Sequence, residues 1–301
     1  MEKYYVLYNP LSANNNEKKR AYQLEKILKD VKLSFYDITQ INDYMDFFKN
    51  IVKEDNIIIC GGDGTINKFI NDNEGIKFTN NIYYFATGTG NDFLNDIKKE
   101  QKEQIVLIND YISNLPIVKV NGKSYRFLNG IGYGIDGYCC EEGERQKRKS
   151  NKKVNYTSII LKGLLYDYKP TNAEIYIDGM KYNFQNVWAA ATMNGRYYGG
   201  GMMSAPNQDR TNKERTVSLV IMHCPKKLKA LIVFPTIFKG KHVKHTEMVQ
   251  IIQGKNISVK FDRPTALQID GETILNVKKY EIKAEDKNDI EENKIKYIQS
   301  V

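Results

Sequence analysis

Two stretches of this 301-residue chain carry residue types suited to holding phosphate: IIICGGDGTINKF at residues 57–69 and IYYFATGTGNDFL at residues 82–94. Each is a short apolar run, then a glycine turn with Thr or Asn, then a helix-like start. Gly61, Gly62 and Gly64 lack a Cβ and can take positive φ, so backbone N–H groups there can approach phosphate oxygens closely. Thr65 suits an N-cap, and Ile66, Phe69 and Ile70 follow at helical spacing. In the second loop Gly88 and Gly90 make the turn, Thr89 offers a hydroxyl, and Asn91 caps the next helix. One glycine pattern alone is equally an ordinary strand-to-helix turn. Two of them so close in sequence point to a nucleotide. Asp63 sharpens that reading, because a carboxylate beside phosphate is repelled unless a divalent cation lies between them or the acid moves a proton.

A second candidate is the Asp270-Gly271-Glu272 turn. It sits among alternating apolar residues (Leu267, Ile269, Ile274), so a plain hairpin turn explains it, and Asp178-Gly179 repeats the same local pattern. If the strand stays extended past Asp270, Glu272 falls on its side of the strand.

The elements that must position these residues alternate in the first third of the chain. Strands are expected at 3–8, 33–38 and 57–60, with helical patterns at 17–28 and 41–53. That order predicts a parallel sheet wrapped by helices, with the loops after its strands opening on one edge. The character changes near residue 116. VKVNGKSYRF and IYIDGMKYNF read as hairpins, and strand-like runs follow at 187–191, 217–222, 256–261, 266–269 and 274–278. Helical stretches at about 152–168 and 226–240 interrupt them. The expected fold is therefore α/β + β: an N-terminal three-layer nucleotide-binding domain over 1–115, then a β-rich, sandwich-like domain over 116–280. The charged tail 281–301 either frays or packs back on the first domain.

Composition agrees with a globular chain: hydrophobic residues make up 41%, with 21 Tyr and 12 Phe. The formal charge of +9 favours anionic partners. No apolar run approaches the roughly 20 residues of a membrane span, and the N-terminus reads directly as a strand with no signal-peptide pattern. Cys60, Cys139, Cys140 and Cys224 show no CxxC spacing and read as reduced thiols of a cytosolic protein.

Six motifs occur in order: NPLS at 9–12, GGDGT at 61–65, GTGND at 88–92, FLNGIGYGID at 127–136, GGGM at 199–202 and DGE at 270–272. Together they resemble the diacylglycerol kinase catalytic-domain family of bacterial lipid kinases, relatives of sphingosine kinases and more distantly of NAD kinases. The resemblance runs from about residue 3 to 280. It implies ATP-dependent phosphoryl transfer to a lipid hydroxyl, with diacylglycerol as the default acceptor, at an active site between the two domains. By position it implies that Asn9, Pro10, Ser12, Ala13, Thr39, Gly61 to Thr65, Asn67 and Gly88 to Asn91 hold ATP. It makes Asp270 the general base, with Glu272 and Asp63 organising Mg2+ and its water. Two departures stand out. Ala13 replaces a usual glycine, and the segment APNQDRTNKERTVSLVIM lacks the paired aspartates of a structural metal loop, leaving Asp209 or Glu214 as substitutes. An NAD kinase-like enzyme and a catalytically inactive regulator are the alternatives, and nucleic acid is not an expected partner.

A cytoplasmic lipid kinase without a membrane span must reach its acceptor at a membrane surface. The basic run Arg145, Lys147, Arg148, Lys149, Lys152 and Lys153 suits either a solvated face or docking to anionic lipid. The stretch PKKLKALIVFPTIFKGKHVKH, with Leu228, Leu231, Ile232, Phe234, Ile237 and Phe238, suits core packing or an interfacial amphipathic helix. Homodimerisation is kept open.

Overall fold

The computed structural model describes residues 1–10, 17–76, 78–88, 90–97, 105–149 and 154–284. They fall into two compact units, Met1–Ser113 and Asn114–Val301. Ser12, Ala13, Thr89, Lys152, Lys153 and the tail from residue 285 lie outside the described residues.

In the first unit, β1 (Lys3–Tyr8), β2 (Lys32–Asp37), β3 (Asn56–Gly61), β4 (Ile82–Ala86) and β5 (Ile105–Leu107) form one sheet in the order β2-β1-β3-β4-β5. The first four strands are parallel, while β5 runs antiparallel to β4 and closes an edge. β3, NIIICG, is buried at every position, as a strand with cover on both faces must be. Register aligns the carboxyl ends: Tyr8 lies opposite Asp37 and Cys60, and Gly61 opposite Ala86. The loops that follow β1, β2, β3 and β4 therefore leave the sheet at one edge.

The helices are shorter than the sequence pattern suggests. The 17–28 stretch is two pieces, α1 (Glu17–Ala21) and α2 (Leu24–Ile27), parted where Tyr22 stacks on Phe35 with ring centroids 4.1 Å apart. α3 covers only Tyr44–Lys49, because the Asp43 carboxylate accepts the Asp46 N–H and fixes the start of the helix there.

The second unit is built on one nine-stranded sheet. Its strands are β6 (Ile117–Val120), β7 (Lys123–Arg126), β8 (Gly130–Tyr133), β9 (Thr171–Ile177), β10 (Met180–Met193), β13 (Val217–His223), β14 (Val249–Gly254), β15 (Asn256–Ile269) and β16 (Glu272–Lys283); β11 (Tyr197–Tyr198) and β12 (Met202–Met203) make a separate ribbon. The two 14-residue strands, β10 and β15, are bridged at one end by β9 and at the other by β8. The sheet thus curls around a core that includes Phe127, Tyr133, Trp-free β15 side chains such as Phe261 and Leu267, and Tyr280. Tyr133 and Phe261 stack at 3.9 Å within it. A second apolar cluster, around Trp188, Tyr198 and Phe234, forms where helices cover the sheet. Three hairpins turn on two residues, both with positive φ: Asn121-Gly122 (48° and 78°), Asp178-Gly179 (47° and 86°) and Asp270-Gly271 (46° and 97°). That combination is the type I′ turn.

The helix α7 (Ile135–Lys149) is absent from the sequence expectation, which left this stretch as motif and basic run. The basic residues through Lys149 are its last turns. The sequence also extends the next helix too far: α8 stops at Lys162 (Tyr156–Lys162) and passes into a wider π turn at Gly163–Asp167. Likewise α9 (Lys227–Val233) gives way to a tighter 3-10 turn at Phe234–Lys239, where Pro235 removes a donor.

Gly137 shows what α7 needs. A Cβ there would stand 1.9 Å from the Ala266 carbonyl oxygen of β15, so the helix lies directly on the strand. Gly64, in α4 (Asp63–Asp72), has nothing within 4 Å of its own Cβ position. Overpacking of this kind costs about 1–3 kcal/mol, more than the roughly 1 kcal/mol of helix propensity that alanine gains over glycine. Gly137→Ala is therefore expected to lower the urea midpoint and Gly64→Ala to hold or raise it; equal effects would contradict the packing.

Candidate functional site

The first group of site residues lies at the carboxyl edge of the first unit's sheet. β3 ends at Gly61 and α4 begins at Asp63, with Gly62 as its N-cap. β4 ends at Ala86, and α5 (Asp92–Ile97) follows the second loop. The loops touch. The Gly61 carbonyl accepts the N–H groups of Thr87 at 2.9 Å and Gly88 at 3.2 Å, and the Tyr84 hydroxyl at 3.0 Å. A Cβ on Gly88 would lie 2.6 Å from the Gly62 Cα, and one on Gly61 would lie 2.3 Å from the Thr65 Oγ1. Contact, rather than positive φ, is why glycine is required at positions 61 and 88; none of Gly61, Gly62, Gly64 or Gly88 takes a positive φ.

Asp63 clasps the two loops. Its carboxylate accepts the N–H of Asp92 at 2.7 Å and of Phe93 at 3.2 Å, so the first residue of α4 caps α5. This corrects two sequence expectations. Thr65 is not an N-cap but a buried residue inside the first turn of α4. The Asn91 side chain does not cap α5 either; with φ at 50° it turns back and donates to the Gly88 carbonyl at 2.9 Å. Among the described residues, two buried oxygens in this loop, Thr87 Oγ1 and Asn91 Oδ1, have no hydrogen-bond partner. The Arg20 guanidinium of α1 donates to the Thr87 carbonyl and brings positive charge to the same loop.

The parallel register places Asn9 and Pro10, the turn Ile38–Gln40, Gly61–Gly62 and 87–88 on one edge. Thr39 is there, but its N–H and hydroxyl are both given to Asp37 Oδ1, at 2.8 and 2.7 Å. Asn67 is buried one turn into α4. Ser12, Ala13 and Thr89 are outside the described residues.

The second group lies in the second unit. The Asp270 carboxylate accepts three backbone N–H groups: Leu128, Asn129 at 2.8 Å and Gly130 at 3.0 Å. Its own N–H goes to the Gly130 carbonyl at 3.0 Å. The Leu128–Gly130 segment is held from its other side as well. Arg210 donates to the Leu128 carbonyl and the Asn129 Oδ1, both at 3.1 Å, and the Asn194 amide donates to the Leu128 carbonyl at 2.9 Å. Glu272 is exposed and opens β16 opposite Ile269, because the I′ turn reverses the chain at Asp270-Gly271. The strand does not stay extended past Asp270, so the expected same-side pairing of Asp270 and Glu272 along one strand does not arise.

Metal ligation has uneven support. Asp63 offers a carboxylate of the hard oxygen type that Mg2+ takes, and it is bonded to the start of α5, which follows the loop whose Thr87 and Asn91 oxygens lack a partner. In the 205–216 loop, Asp209 accepts the Thr211 N–H at 2.8 Å and hydroxyl at 2.6 Å, and Glu214 is exposed. Among the described residues no group of three or more His, Cys, Asp or Glu could hold a metal ion, so this loop does not assemble a ligand set. Sequence reasoning missed Arg20, Asn194 and Arg210. Arg210 lies in the very loop singled out for lacking its acidic pair, which was the available signal; Arg20 sits in an ordinary helical pattern and gave none.

Comparison with known proteins agrees with the fold. The diacylglycerol kinase catalytic domain profile matches residues 3–120. That of the YegS C-terminal NAD kinase beta sandwich-like domain matches residues 129–281. The chain belongs to the diacylglycerol kinase family of lipid kinases. A diacylglycerol kinase of Mycobacterium tuberculosis is 23% identical over 213 residues, covering 68% of this chain and 67% of that protein. A crystal structure of a diacylglycerol kinase from Bacillus anthracis superposes with a TM-score of 0.57 at 18% identity, covering 94% of this chain and 93% of that one. Another solved structure from the same organism reaches 0.65 at 19% identity, covering 94% and 91%. At these identities the structural likeness speaks for the fold alone.

One ionisable group beneath the second site carries a pH signature. Asp136, in the first turn of α7, is buried and accepts the Tyr198 hydroxyl at 2.8 Å. Burial pushes its carboxyl up from 3.8 to about 6, and the Tyr198 bond opposes this only in part. A carboxyl that holds its proton more tightly when folded adds stability that is fully present below pH 4 and is lost as pH rises through 6. The loss amounts to about 3 kcal/mol. Asp136→Asn keeps an acceptor for Tyr198 and removes the titration. Urea unfolding of the two proteins is expected to show their free-energy difference changing between pH 4 and 6.5; a pH-independent difference would contradict the assignment.

Proposed function

We propose that this chain transfers the γ-phosphoryl group of ATP to the hydroxyl of a lipid, with diacylglycerol as the acceptor, acting peripherally on a membrane from the cytoplasm. The observation that carries this reading is the gathering of Asn9, Thr39, Gly61–Gly64 and residues 87–88 on one sheet edge, with Asp63 tying the two glycine loops together. Phosphoryl transfer asks the protein mainly to position its reactants and to neutralise charge. In this reading the first-turn amides of α4 face the donor phosphates at the positive end of the helix. Arg20 adds a fixed positive charge beside the second loop.

Mg2+, when bound, would neutralise phosphate charge, and Asp63 is the residue of the first unit that would hold it and its water. Asp270 is assigned as the general base that takes the proton from the acceptor hydroxyl. Its three amide donors fix the direction of the carboxylate, and Arg210 holds the backbone that supplies two of those donors.

A hairpin aspartate can do purely structural work, and Asp178 is the internal comparison. It occupies an equivalent I′ turn and accepts the N–H groups of Lys255 at 3.1 Å and Asn256 at 2.8 Å. The two aspartates therefore separate catalysis from scaffolding. With labelled ATP, magnesium and a panel of diacylglycerol, ceramide, sphingosine, undecaprenol and NAD, the wild-type protein is expected to label a lipid. Asp270→Asn should lower turnover by about 10²–10⁴-fold, the range of general-base contributions. Asp178→Asn should leave turnover within about twofold, since surface substitutions away from the chemistry act weakly. Label in no lipid, or equal losses in the two variants, would contradict the reading.

A further inference from the structure

The segment from Pro225 to His245 splits its apolar residues between two faces. Ala230, Val233, Phe234 and Ile237 are buried in the cluster around Trp188 and Tyr198. Leu228 and Ile232, one turn apart on α9, are 70% and 66% exposed. The end of α8 and the π turn behind it divide in the same way. Ile159 and Leu164 are buried, whereas Leu161, Leu165 and Tyr166 are exposed, Tyr166 at 71%. The two exposed sets adjoin: α9 packs on the π turn, and the Lys227 ammonium donates to the Leu165 carbonyl at 3.3 Å. Leu161, Leu165 and Tyr166 also border an open groove of about 450 Å³. Scattered apolar side chains on a surface need no explanation, but a contiguous group marks a place where something else covers the protein.

Charge says what that covering is. Between Pro225 and His245 the chain has six lysines and no acidic residue. Lys226 and Lys227 are exposed beside Leu228, while Lys229 is paired with Glu247 at 2.7 Å. The basic run at the end of α7 is a weaker candidate, because Arg145 is paired with Glu142 at 2.6 Å and Arg148 with Glu144 at 3.6 Å. The acidic groups beside the ridge, Asp167 and Glu247, are paired with Lys162 at 3.3 Å and Lys229 at 2.7 Å, which leaves Lys226 and Lys227 as its exposed cationic border. Such a ridge is complementary to a bilayer that carries anionic headgroups: apolar side chains enter the acyl boundary and ammonium groups meet lipid phosphates.

We propose that the ridge formed by Leu161, Leu165, Tyr166, Leu228 and Ile232, bordered by Lys226 and Lys227, docks this protein on an anionic membrane. The proposal rests on the lipid-kinase reading for the need to reach a bilayer-held acceptor, and on the surface itself for where contact is made. None of these residues belongs to either group of site residues, so docking and chemistry can be separated.

The test uses the full chain and sedimentation with vesicles of phosphatidylcholine containing phosphatidylglycerol, against phosphatidylcholine alone. Leu228→Glu/Ile232→Glu places charge at two exposed positions and is expected to keep the circular dichroism and melting of the wild type. It should lower partition onto anionic vesicles by about tenfold or more, since interfacial binding scales with buried apolar area. Lys226→Gln/Lys227→Gln provides an independent variant and should weaken binding while flattening its salt dependence. Transfer of label to diacylglycerol in vesicles should fall in parallel, whereas transfer to a monomeric short-chain diacylglycerol should not change.

Wild-type partition by both variants overturns the docking surface. A wild-type protein that labels short-chain diacylglycerol but binds no vesicle also overturns docking and leaves the kinase reading intact. Vesicle binding lost in the variants, with no lipid labelled by the wild type, supports docking and removes the kinase reading. Self-association abolished by the glutamate pair, with vesicle binding unchanged, assigns the ridge to a second copy of the chain and overturns the proposal.

Discussion

The first unit depends on a carboxylate that reaches from one helix start to the next. Asp63 opens α4 and accepts the Asp92 and Phe93 N–H groups of α5, so the glycine loops after β3 and β4 cannot move apart without leaving charged and polar groups unpaired. The contact between Gly62 and Gly88 can be so close only because Gly88 carries no Cβ, which would lie 2.6 Å from the Gly62 Cα. A helix N-terminus already favours negative charge, which is why an aspartate tolerates this position before any metal is considered. Asp63 thus has two compatible duties, a structural one in the hydrogen bonds described and a proposed one toward magnesium. The same clasp fixes the spacing of the amides that the donor phosphates would meet.

The second unit uses a parallel device. Asp270 and Asp178 both sit at the first position of an I′ turn and both collect backbone N–H groups from a neighbouring segment. What distinguishes them is the surroundings. Asp178 secures the link between β14 and β15, whereas Asp270 secures the entry to β8, a segment further gripped by Arg210 and Asn194. The extra anchoring points to a carboxylate whose direction matters, beyond the mere closing of a turn.

Much of this was legible in the sequence because it rests on short-range rules. The alternation of strands and helices gave the parallel sheet, and the Asn-Gly and Asp-Gly pairs marked three I′ hairpins. Both glycine loops do follow strands and open helices, but Gly61 and Gly88 serve close approach of the chain rather than a positive φ. What escaped was long-range. α7 carries Gly137 and Gly143, poor helix formers by local propensity; in the fold they admit Ala266 of β15 and the Tyr156 ring. The Asp63 bond to α5 spans about thirty residues and carries no periodic signal. Arg210 and Asn194 act on Leu128 and Asn129 across 66 to 82 residues of sequence. The split of residues 225–245 into a buried and an exposed face likewise needed the packing of α9 against the sheet, since the sequence admitted core and interface equally.

The most direct measurement of the central claim is amide hydrogen exchange of the whole chain with and without MgATP. The expected result is slower exchange in the peptides spanning residues 61–65 and 87–93, including the two amides held by Asp63, and loss of that response in Asp63→Asn. Slowed exchange elsewhere with these two segments unchanged, or an Asp63→Asn protein that responds like the wild type, would contradict the assignment of the glycine loops as the nucleotide site.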